Sequence, residues 1–536
     1  MSGVNLAWPF NTLWMLACKG SMNAFYDSTR QVKETQSHVL RQMIDANRDC
    51  AFGREHHFAR VHDADEFRAR VPVANYEDFE PWIDEICEGR GGVLTTESVQ
   101  LLEPTSGSVS GRRLIPYTNS LKRQFRNGIN PWIGDLYKSR PALCRGRAWW
   151  LVSPPAERQW TSGGLSIGFA DDTQYLGLAA RLATSRVLAV PPWIMKGVRP
   201  GDASYRTLLQ LLTVQDLTLI SVWSPTLLTN LVHLLQSSNA RLVEDLQLRG
   251  QAKTARRVDT VFRSGGAVCE QISQLWPRLR MISSWADGSA AYAVNDIKTF
   301  FPHVEIQPKG LISTEAFVSL PIIGYPGSAL SVRSHFFEFQ PMESRSANTL
   351  LTLLAHELLA GERYRVIVTT GGGLYRYQTN DVIEVIGFLE QCPMIRFCGR
   401  GNKTSDLVGE KLSEVFVASA LAKMAAQLRI EPRFAMLVPQ RKALGYRLLI
   451  ELPPDSEQPS AEEIGTRLDV SLSENPWYAH AIQVGQLSHV EVTVDNSNAG
   501  RLRSVYEARC LESGIRRGNI KPTSLEIRFD WDQLSV

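Results

Sequence analysis

Residues 371–414 read GGGLYRYQTNDVIEVIGFLEQCPMIRFCGRGNKTSDLVGEKLSE. A cluster of Tyr375, Arg376 and Tyr377, followed by Asp381, precedes an alternating apolar run that is typical of a β-strand. A glycine-flanked Arg400 then leads into a polar loop. An aspartate at the end of a strand can accept hydrogen bonds from both hydroxyls of a ribose, and a nearby arginine can bind phosphate. The stretch therefore predicts a nucleotide site beside a hinge, although the same residues also occur at ordinary strand edges.

The composition indicates a folded protein of more than one domain. The chain has 536 residues, of which 44% are hydrophobic, and a single core stops growing near roughly 250–300 residues. Its 58 basic and 55 acidic residues are mixed along the chain, so no basic surface predicts a nucleic acid partner. Eight scattered cysteines without a CxxC pair argue against a zinc site and against a disulfide framework, and they favour the reducing cytoplasm.

An apolar segment, residues 4–18, lies close to the N-terminus. No Lys or Arg precedes it, and Pro9 and Asn11 interrupt it, so it lacks the charged region of a signal peptide. No run in the sequence approaches the roughly 20 apolar residues that a membrane span needs. We therefore predict that this segment packs on the protein core and that the protein has no membrane partner.

Strand and helix patterns alternate along most of the chain. Apolar runs at 149–155 and 217–225 are typical of buried strands, and helical patterns follow them. After residue 410 the pattern changes to a helix, a hairpin and further short elements. The sequence predicts an α/β fold in which a large N-terminal domain, residues 1–400, has β-sheets flanked by helices. A smaller α+β domain, residues 401–536, follows it.

A loop rich in serine and glycine, TSGSVSGRR, occupies residues 105–113. Converging backbone N–H groups and hydroxyls, with two arginines, suit the binding of a triphosphate. The loop does not match GxxxxGK[ST], so it is not a Walker loop. A plain turn remains the alternative for this loop.

Two later segments carry further candidate residues. The sequence MISSWADGSAAY at 281–292 predicts a strand that ends in a loop of small residues, where a flat ring such as adenine can approach the backbone; the small residues at 264–267 are a rival for this role. In GLISTEAFVSL, at 310–320, Glu315 lies within a strand-like run. A carboxylate there must be paired or must hold a cation.

Together these motifs resemble the acyl acid-amido synthetases, the Gretchen Hagen family of auxin- and jasmonate-conjugating plant enzymes, which also has bacterial members. The resemblance extends from about residue 36 to 522 and rests on the order of several motifs. These are VP…YEDF, TSGSVSG with LIPYT, SVWSPT, WADGSAAY, KGLISTEA, HFFEF, VTTGGGLYRYQTND and GRGNKTSDLVGEKLSE.

The resemblance implies a two-step reaction with ATP, Mg²⁺ and two small-molecule substrates. A carboxylic acid reacts with ATP to give an acyl-adenylate and pyrophosphate, and an amine, typically of an amino acid, then attacks the acyl carbon. No side-chain nucleophile is needed, because catalysis consists mainly of positioning and charge neutralisation.

The resemblance also implies roles for individual residues. Those that would contact ATP are Thr105, Ser106, Gly107, Ser108, Gly288, Ser289, Ala290, Thr314, Glu315, Tyr375, Arg376, Asp381 and Arg400. Arg113, where the motif usually has lysine, and Lys521 would act in adenylation, and Glu315 would bind Mg²⁺. Arg400 and Gly401 would form the hinge about which the C-terminal domain rotates.

The acyl pocket and the final acceptor are less closely defined by the motifs. Arg123, on the helix after LIPYT, is a candidate anchor for the acid's carboxylate, and Trp223 is a candidate pocket wall. One alternative is transfer of the acyl group to the thiol of coenzyme A or of a carrier protein. A second alternative is a degenerate, non-catalytic adenylate binder, because Arg113 replaces lysine and Asn380 replaces a residue that is often glycine.

Overall fold

The computed structural model describes residues 7–105, 113–151, 159–168, 186–195, 198, 202–288, 290–342, 352–401, 403–454, 458–497, 499–515 and 520–532. The described chain begins with the helices α1 (Ala7–Ser28), α2 (Val32–Ala46), α3 (Ala51–Glu55), α4 (Ala64–Arg70) and α5 (Tyr76–Cys87). In α2, Val32, Leu40 and Ile44 recur at helical spacing and are buried. This apolar stripe holds the helix on the core.

A parallel sheet orders the middle of the N-terminal region. Its strands are β3 (Arg147–Trp150), β6 (Leu217–Ser221), β7 (Met281–Ser284) and β8 (Glu305–Pro308), in the order β3-β6-β7-β8. All five residues of β6 are buried, as expected for a strand that is covered on both faces. β3 and β6 overlap the strands predicted at 149–155 and 217–225, and the α/β class is confirmed.

Helices cover both faces of this sheet. Helix α6 (Asn119–Ser139) lies on one face, where Trp132 contacts β3 and β8. The core of the other face is shared by α7 (Ala203–Leu212), α8 (Pro225–Ser237), α9 (Asn239–Leu248), α10 (Ala252–Arg263), α11 (Val268–Leu275) and α12 (Ala290–Phe300).

The stretch 371–414 contributes two central strands to a second, antiparallel sheet. This sheet contains β9 (Ser319–Pro321), β10 (Ser328–Leu330), β11 (Phe336–Pro341), β12 (Leu353–Leu354), β13 (Arg363–Thr369), β14 (Tyr377–Leu389) and β15 (Cys392–Arg400). The strand order is β12-β11-β13-β14-β15-β10-β9. A tight turn joins β14 to β15, and Glu390 in that turn has a φ of 54°.

A small sheet flanks the serine- and glycine-rich loop. It contains β1 (Leu101–Pro104), β2 (Leu114–Tyr117), β4 (Gln159–Trp160) and β5 (Ser166–Ile167), in the order β2-β1-β5-β4. Short 3₁₀ turns elsewhere span Phe58–Arg60, Pro141–Arg145, Pro192–Met195 and Ala355–Glu357. Because β1 and β2 pair antiparallel, they hold the two ends of the loop together.

The C-terminal region has its own cores. Its strands are β16 (Thr404–Ser405), β17 (Leu412–Ser413), β18 (Phe434–Gln440), β19 (Gly445–Glu451) and β20 (Glu491–Asp495), and its helices are α13 (Glu414–Leu428), α14 (Ala461–Leu472), α15 (Pro476–Gln483) and α16 (Arg501–Glu512). Leu421, Leu437 and Leu468 are fully buried in one of these cores. The smaller α+β unit is thus confirmed, while the boundary after residue 400 stays a prediction.

Charged contacts join the C-terminal region to the N-terminal region. Asp296 on α12 pairs with Arg433 at 3.3 Å and with Arg503 at 2.9 Å. Nearby, the amide of Asn230 donates to Glu507 at 3.1 Å. Because Asp296 and Arg503 are largely buried, these contacts are weakly screened by solvent and help set the orientation of the smaller unit.

The apolar N-terminal segment forms part of α1 and packs on α6. Cys18 and Phe25 are buried there, whereas Leu13 and Leu16 are exposed. Among the helices that the structure describes, none combines the length and the apolar character needed to cross a membrane.

We expect Gly128→Ala to destabilise the protein. A Cβ at Gly128, on α6, would lie only 2.2 Å from the ring of Phe317. Such overpacking typically lowers the free energy of unfolding by about 1–3 kcal/mol. Gly20→Ala on α1 is the matched control, because a Cβ there meets nothing within 4 Å and alanine is the better helix former. Chemical denaturation checks both variants, and equal stability of the two would contradict the close approach.

Candidate active site

The loop after β7 and the end of β15 meet at the carboxyl edge of the parallel sheet. Gly288 in this loop has a φ of 58°, and a Cβ there would lie 3.7 Å from the carbonyl oxygen of Cys398 and from the ring of Phe397. Ala290 is buried at the start of α12, and Ser289 lies outside the described residues. Ligands of open α/β sheets bind at this edge, so the position suits the predicted adenine contact.

Asp381 and Arg400 form an ion pair across the antiparallel sheet. They are direct partners in the β14–β15 register, and Arg400 Nε lies 3.4 Å from Asp381 Oδ1. Asp381 is only 3% exposed. The expectation that Asp381 ends a strand is wrong, because Asp381 lies inside β14, at the residue where the pairing with β15 begins. Asn380 has a φ of 63°, so it adopts the left-handed conformation that it was expected to tolerate.

Glu315 lies in a tight turn rather than in a strand. Ile312 and Phe317 form an isolated bridge around it, and the hydroxyl of Ser313 accepts a hydrogen bond from the N–H of Ala316 at 3.2 Å. The strand-like sequence pattern was therefore misleading, because the hydroxyl of Ser313 closes the turn locally. The carbonyl of Thr314 accepts a hydrogen bond from Tyr117 at 2.6 Å, which fixes the turn against β2.

Lys521 reaches this region from the C-terminal unit. Its Nζ lies 5.8 Å from the centre of the Trp285 ring, in the loop after β7. Its carbonyl accepts a hydrogen bond from Tyr506 on α16 at 2.7 Å, so the backbone of the lysine is held by its own unit. The fold thereby brings Lys521 beside residues more than a hundred positions earlier in the chain.

Glu315, Asp381, Arg400 and Lys521 form one electrostatic cluster, which we call the charge cluster. The charge of Arg400 and burial lower the pKa of Lys521 to about 8, against the opposing effect of Asp381 and Glu315. Burial raises the pKa of Asp381, although Arg400 and Lys521 act in the other direction. Burial lowers the pKa of Arg400, but Asp381 and Glu315 outweigh this effect and raise it overall. Two cations and two carboxylates thus lie within electrostatic reach of each other.

The serine- and glycine-rich loop is described only at its ends. Ser106, Gly107 and Ser108 lie outside the described residues. The N–H of Thr105 donates to the carbonyl of Arg113 at 2.9 Å, which closes the base of the loop.

The Arg113 side chain is engaged beside this loop. It pairs with Glu77 at 2.6 Å and lies 5.3 Å from the centre of the Tyr76 ring. Its charge nevertheless acts on Tyr377, together with the charges of Glu315 and Arg400, so Arg113 borders the charge cluster.

Tyr375 and Arg376 are turned into the core, which corrects the expectation that they contact a nucleotide. The hydroxyl of Tyr375 donates to Leu94 at 2.8 Å, and its ring stacks on Phe52. Arg376 forms a bidentate pair with Glu338, with both distances 2.9 Å, and also donates to the carbonyl of Val71. The nitrogen donors of Arg376 are therefore already used by the protein.

The two predicted substrate residues lie in different surroundings. Arg123 is exposed on α6 and donates to the hydroxyl of Ser120 at 2.9 Å. Trp223 follows β6 and is half-buried, with its ring 6.0 Å from Trp285 and 4.8 Å from the ammonium of Lys309. Trp223 therefore adjoins the charge cluster through Trp285, whereas nothing in the contacts of Arg123 connects it to the cluster.

Tyr377 was predicted as part of one cluster with Tyr375 and Arg376 but without a role of its own, and Lys309 was given no role. Tyr377 is buried, and burial together with the charge of Glu315 raises its pKa. Lys309 directly follows β8 and is only 4% exposed. The preceding strand, EIQP, is itself partly polar, so the local sequence gave no signal that Lys309 is buried.

The described residues contain no group of three or more side chains that could together hold a metal ion. The magnesium role of Glu315 therefore stays a prediction. A single carboxylate fits Mg²⁺, which usually keeps several waters and binds through one or two carboxylates and the phosphates of a substrate.

Known proteins resemble this chain in sequence and in fold. A model of the GH3 family N-terminal domain matches residues 21–306, and a model of the GH3 family central domain matches residues 328–400. A rice protein (Oryza sativa subsp. japonica) named as an indole-3-acetic acid-amido synthetase, GH3.10, is 26% identical over 76% of this chain and 87% of its own length. The Arabidopsis thaliana indole-3-acetic acid-amido synthetase GH3.3 is 22% identical over 74% of this chain and 72% of its own length.

A solved structure extends the likeness to the fold. The AtGH3.15 acyl acid amido synthetase in complex with 2,4-DB has a TM-score of 0.79 at 19% identity. The match covers 95% of this chain and 94% of that chain. At this identity the likeness establishes the fold alone.

We expect Arg376→Met to destabilise the fold because it leaves the carboxylate of Glu338 buried without its main partner. Removing one member of a buried pair typically lowers the free energy of unfolding by about 3–5 kcal/mol. Arg123→Met, at an exposed position, is the control and should change it by less than about 0.5 kcal/mol. Denaturant titration followed by circular dichroism measures both, and a fully stable Arg376→Met variant would contradict the structural role.

Proposed function

The chain belongs to the GH3 family, and we propose from this membership that it is an acyl acid-amido synthetase that uses ATP. It adenylates a carboxylic acid and transfers the acyl group to an amine, in the form of an amino acid, to make an amide. The relatives that carry amido synthetase names match most of this chain and most of their own lengths. The charge cluster is the structural observation that carries the proposal.

The four residues of the charge cluster have complementary roles in this proposal. Asp381 is held in place by Arg400 and would accept hydrogen bonds from the ribose hydroxyls. Lys521 and Arg400 would offset the negative charge that develops when the acid's carboxylate attacks the α-phosphate. Because these groups are already positioned, little reorganisation is needed at the moment of reaction.

Glu315 would hold Mg²⁺ near the phosphates. When bound, the ion supplies positive charge to the phosphate oxygens. Glu315 contributes a carboxylate from a turn that hydrogen bonds to Ser313 and Tyr117 keep in shape. Thr105 and Arg113 stand at the two ends of the loop that would hold the phosphates.

Amide formation is proposed to follow rotation of the C-terminal domain, residues 401–536, about Arg400 and Gly401. Lys521 belongs to this domain and lies in the charge cluster, so the orientation described here corresponds to the adenylating one. We also propose a cytoplasmic location, because all eight cysteines lie in the described part of the chain and none forms a disulfide.

The function is tested by pyrophosphate release from the purified protein with ATP and Mg²⁺. A panel of aryl and fatty acids is supplied with and without mixed amino acids, and products are identified by mass spectrometry. We expect release that depends on the acid and an amide product that depends on both substrates. A thioester formed from coenzyme A in preference to an amide would favour the alternative acceptor. Absence of release with every acid would refute the synthetase assignment.

We expect the kcat/KM for adenylation to fall as the pH rises through about 8, where Lys521 loses its proton in the free enzyme. Lys521→Arg keeps the charge at higher pH and should remove this decline. Lys521→Gln should lower the rate at neutral pH by roughly a hundredfold with little change in ATP affinity.

Lys442→Gln, at an exposed position of the same domain, is the control and should leave the pH profile unchanged. The profile is obtained by measuring pyrophosphate release from about pH 6 to about pH 10. This range extends about two pH units on either side of the pKa of Lys521. If Lys521→Gln keeps the wild-type profile, Lys521 is an ordinary domain-surface lysine.

A further inference from the structure

A row of polar side chains crosses the parallel sheet at its carboxyl edge. Trp150, Ser221, Ser283 and Gln307 are consecutive partners in the register of β3, β6, β7 and β8. Side chains alternate between the faces of a strand, so register partners share one face. Trp132 of α6 donates to Gln307 at 3.1 Å, which places the row between the sheet and α6.

Lys309 extends this row just beyond the end of β8. It is two residues after Gln307, and its ammonium donates to the hydroxyl of Ser221 at 2.6 Å and to the carbonyl of Val222 at 3.3 Å. The ring centres of Trp223 and Trp132 lie 4.8 Å and 5.7 Å from the ammonium. We call Trp150, Ser221, Ser283, Gln307 and Lys309 the donor cluster.

Three polar atoms of the donor cluster are unsatisfied among the described residues. Within the described parts of the chain, Trp150 Nε1, Ser283 Oγ and Gln307 Nε2 are buried without a hydrogen-bond partner. Buried polar atoms are normally satisfied, so three unsatisfied atoms on one face of the same sheet indicate a missing ligand or ordered water.

The donor cluster also lacks a counter-charge. In the same part of the chain, no carboxylate forms an ion pair with Lys309, and burial alone lowers its pKa to about 7. Water would satisfy the hydrogen bonds but would leave the ammonium without a counter-ion. An anionic oxygen group would satisfy both.

The donor cluster is separate from the charge cluster. The rings of Trp223 and Trp285 lie between the ammonium of Lys309 and that of Lys521. None of the charged residues of the charge cluster contributes to the shifted pKa of Lys309. A substrate that reacts at Lys521 would therefore meet Lys309 with its far end, along two indole rings.

We propose that the donor cluster is the distal subsite of the acyl pocket and selects acids that carry a second anionic oxygen group. This inference rests on the proposed function. The reacting carboxylate would lie at the charge cluster, the apolar middle of the acid would lie along Trp223 and Trp285, and the second group would pair with Lys309. The substrate class is thus a dicarboxylic acid with an aromatic or extended apolar middle.

Matched pairs of acids test the proposal. Terephthalate is compared with 4-methylbenzoate, and adipate with hexanoate, in wild type and in Lys309→Met. We expect wild type to prefer the dicarboxylate of at least one pair by roughly tenfold or more in kcat/KM for pyrophosphate release. Lys309→Met should reverse that preference, while Lys298→Met, at an exposed position of α12, should keep it.

Binding without turnover is measured by quenching of tryptophan fluorescence with the same acids. The subsite is overturned if wild type prefers the monocarboxylate in both pairs or if no dicarboxylate binds. It is also overturned if Lys309→Met changes the kcat/KM of both members of a pair equally. If Lys309→Met does not fold, Gln307→Met is compared with wild type on the same pairs of acids, and the same results support or overturn the subsite.

The two proposals fail in different ways. Dicarboxylate binding that depends on Lys309 without any amide synthesis would refute the proposed function and keep the subsite. Amide synthesis that shows no preference for dicarboxylates would refute the subsite and keep the function.

Discussion

The ion pair between Asp381 and Arg400 is the constraint on which the candidate site depends. It spans the two central strands of the antiparallel sheet and is largely buried, so the register of β14 and β15 fixes both groups at once. Glu315 and Lys521 approach the same place from a turn and from the C-terminal unit. An isolated charge there would be costly to bury. Mutual compensation lets four charged groups remain at the meeting point of two sheets and two domains.

Charges elsewhere in the protein are compensated in a different manner. Arg376 and Glu338 neutralise each other in the core, and further hydrogen bonds use the remaining donors of the arginine. Such a closed network stabilises the packing and leaves nothing for a ligand. Lys309 is the contrast, because it is equally buried and has only neutral partners among the described residues. A buried charge that the protein itself neutralises has a structural role, whereas a buried charge with only neutral partners suits the binding of a ligand.

The arrangement of the C-terminal unit decides whether Lys521 belongs to the site. Asp296 holds Arg433 and Arg503 of that unit, and the orientation that these pairs favour is the one in which Lys521 stands beside Trp285. A small number of ion pairs can favour one orientation of the C-terminal unit, and only these pairs need to break for the orientation to change. A unit held in this way can reach its partner residues in one orientation and release them in another.

The sequence alone determined the α/β class, the order of the motifs and the family resemblance, because strand periodicity and motif order are local properties of the chain. Through the resemblance it also identified Glu315, Asp381, Arg400 and Lys521 as candidate site residues. Which side chains face the site was decided only by the tertiary structure. A strand that is buried along its whole length, such as β6, does not show in its sequence which of its faces meets the site. Tyr375 and Arg376 were predicted at the site because they are close to Asp381 in the sequence, but their contacts with Leu94 and Glu338, which hold them in the core, are made only in the folded protein. Lys309 was missed because its environment is built from strands and a helix that lie far apart in the sequence.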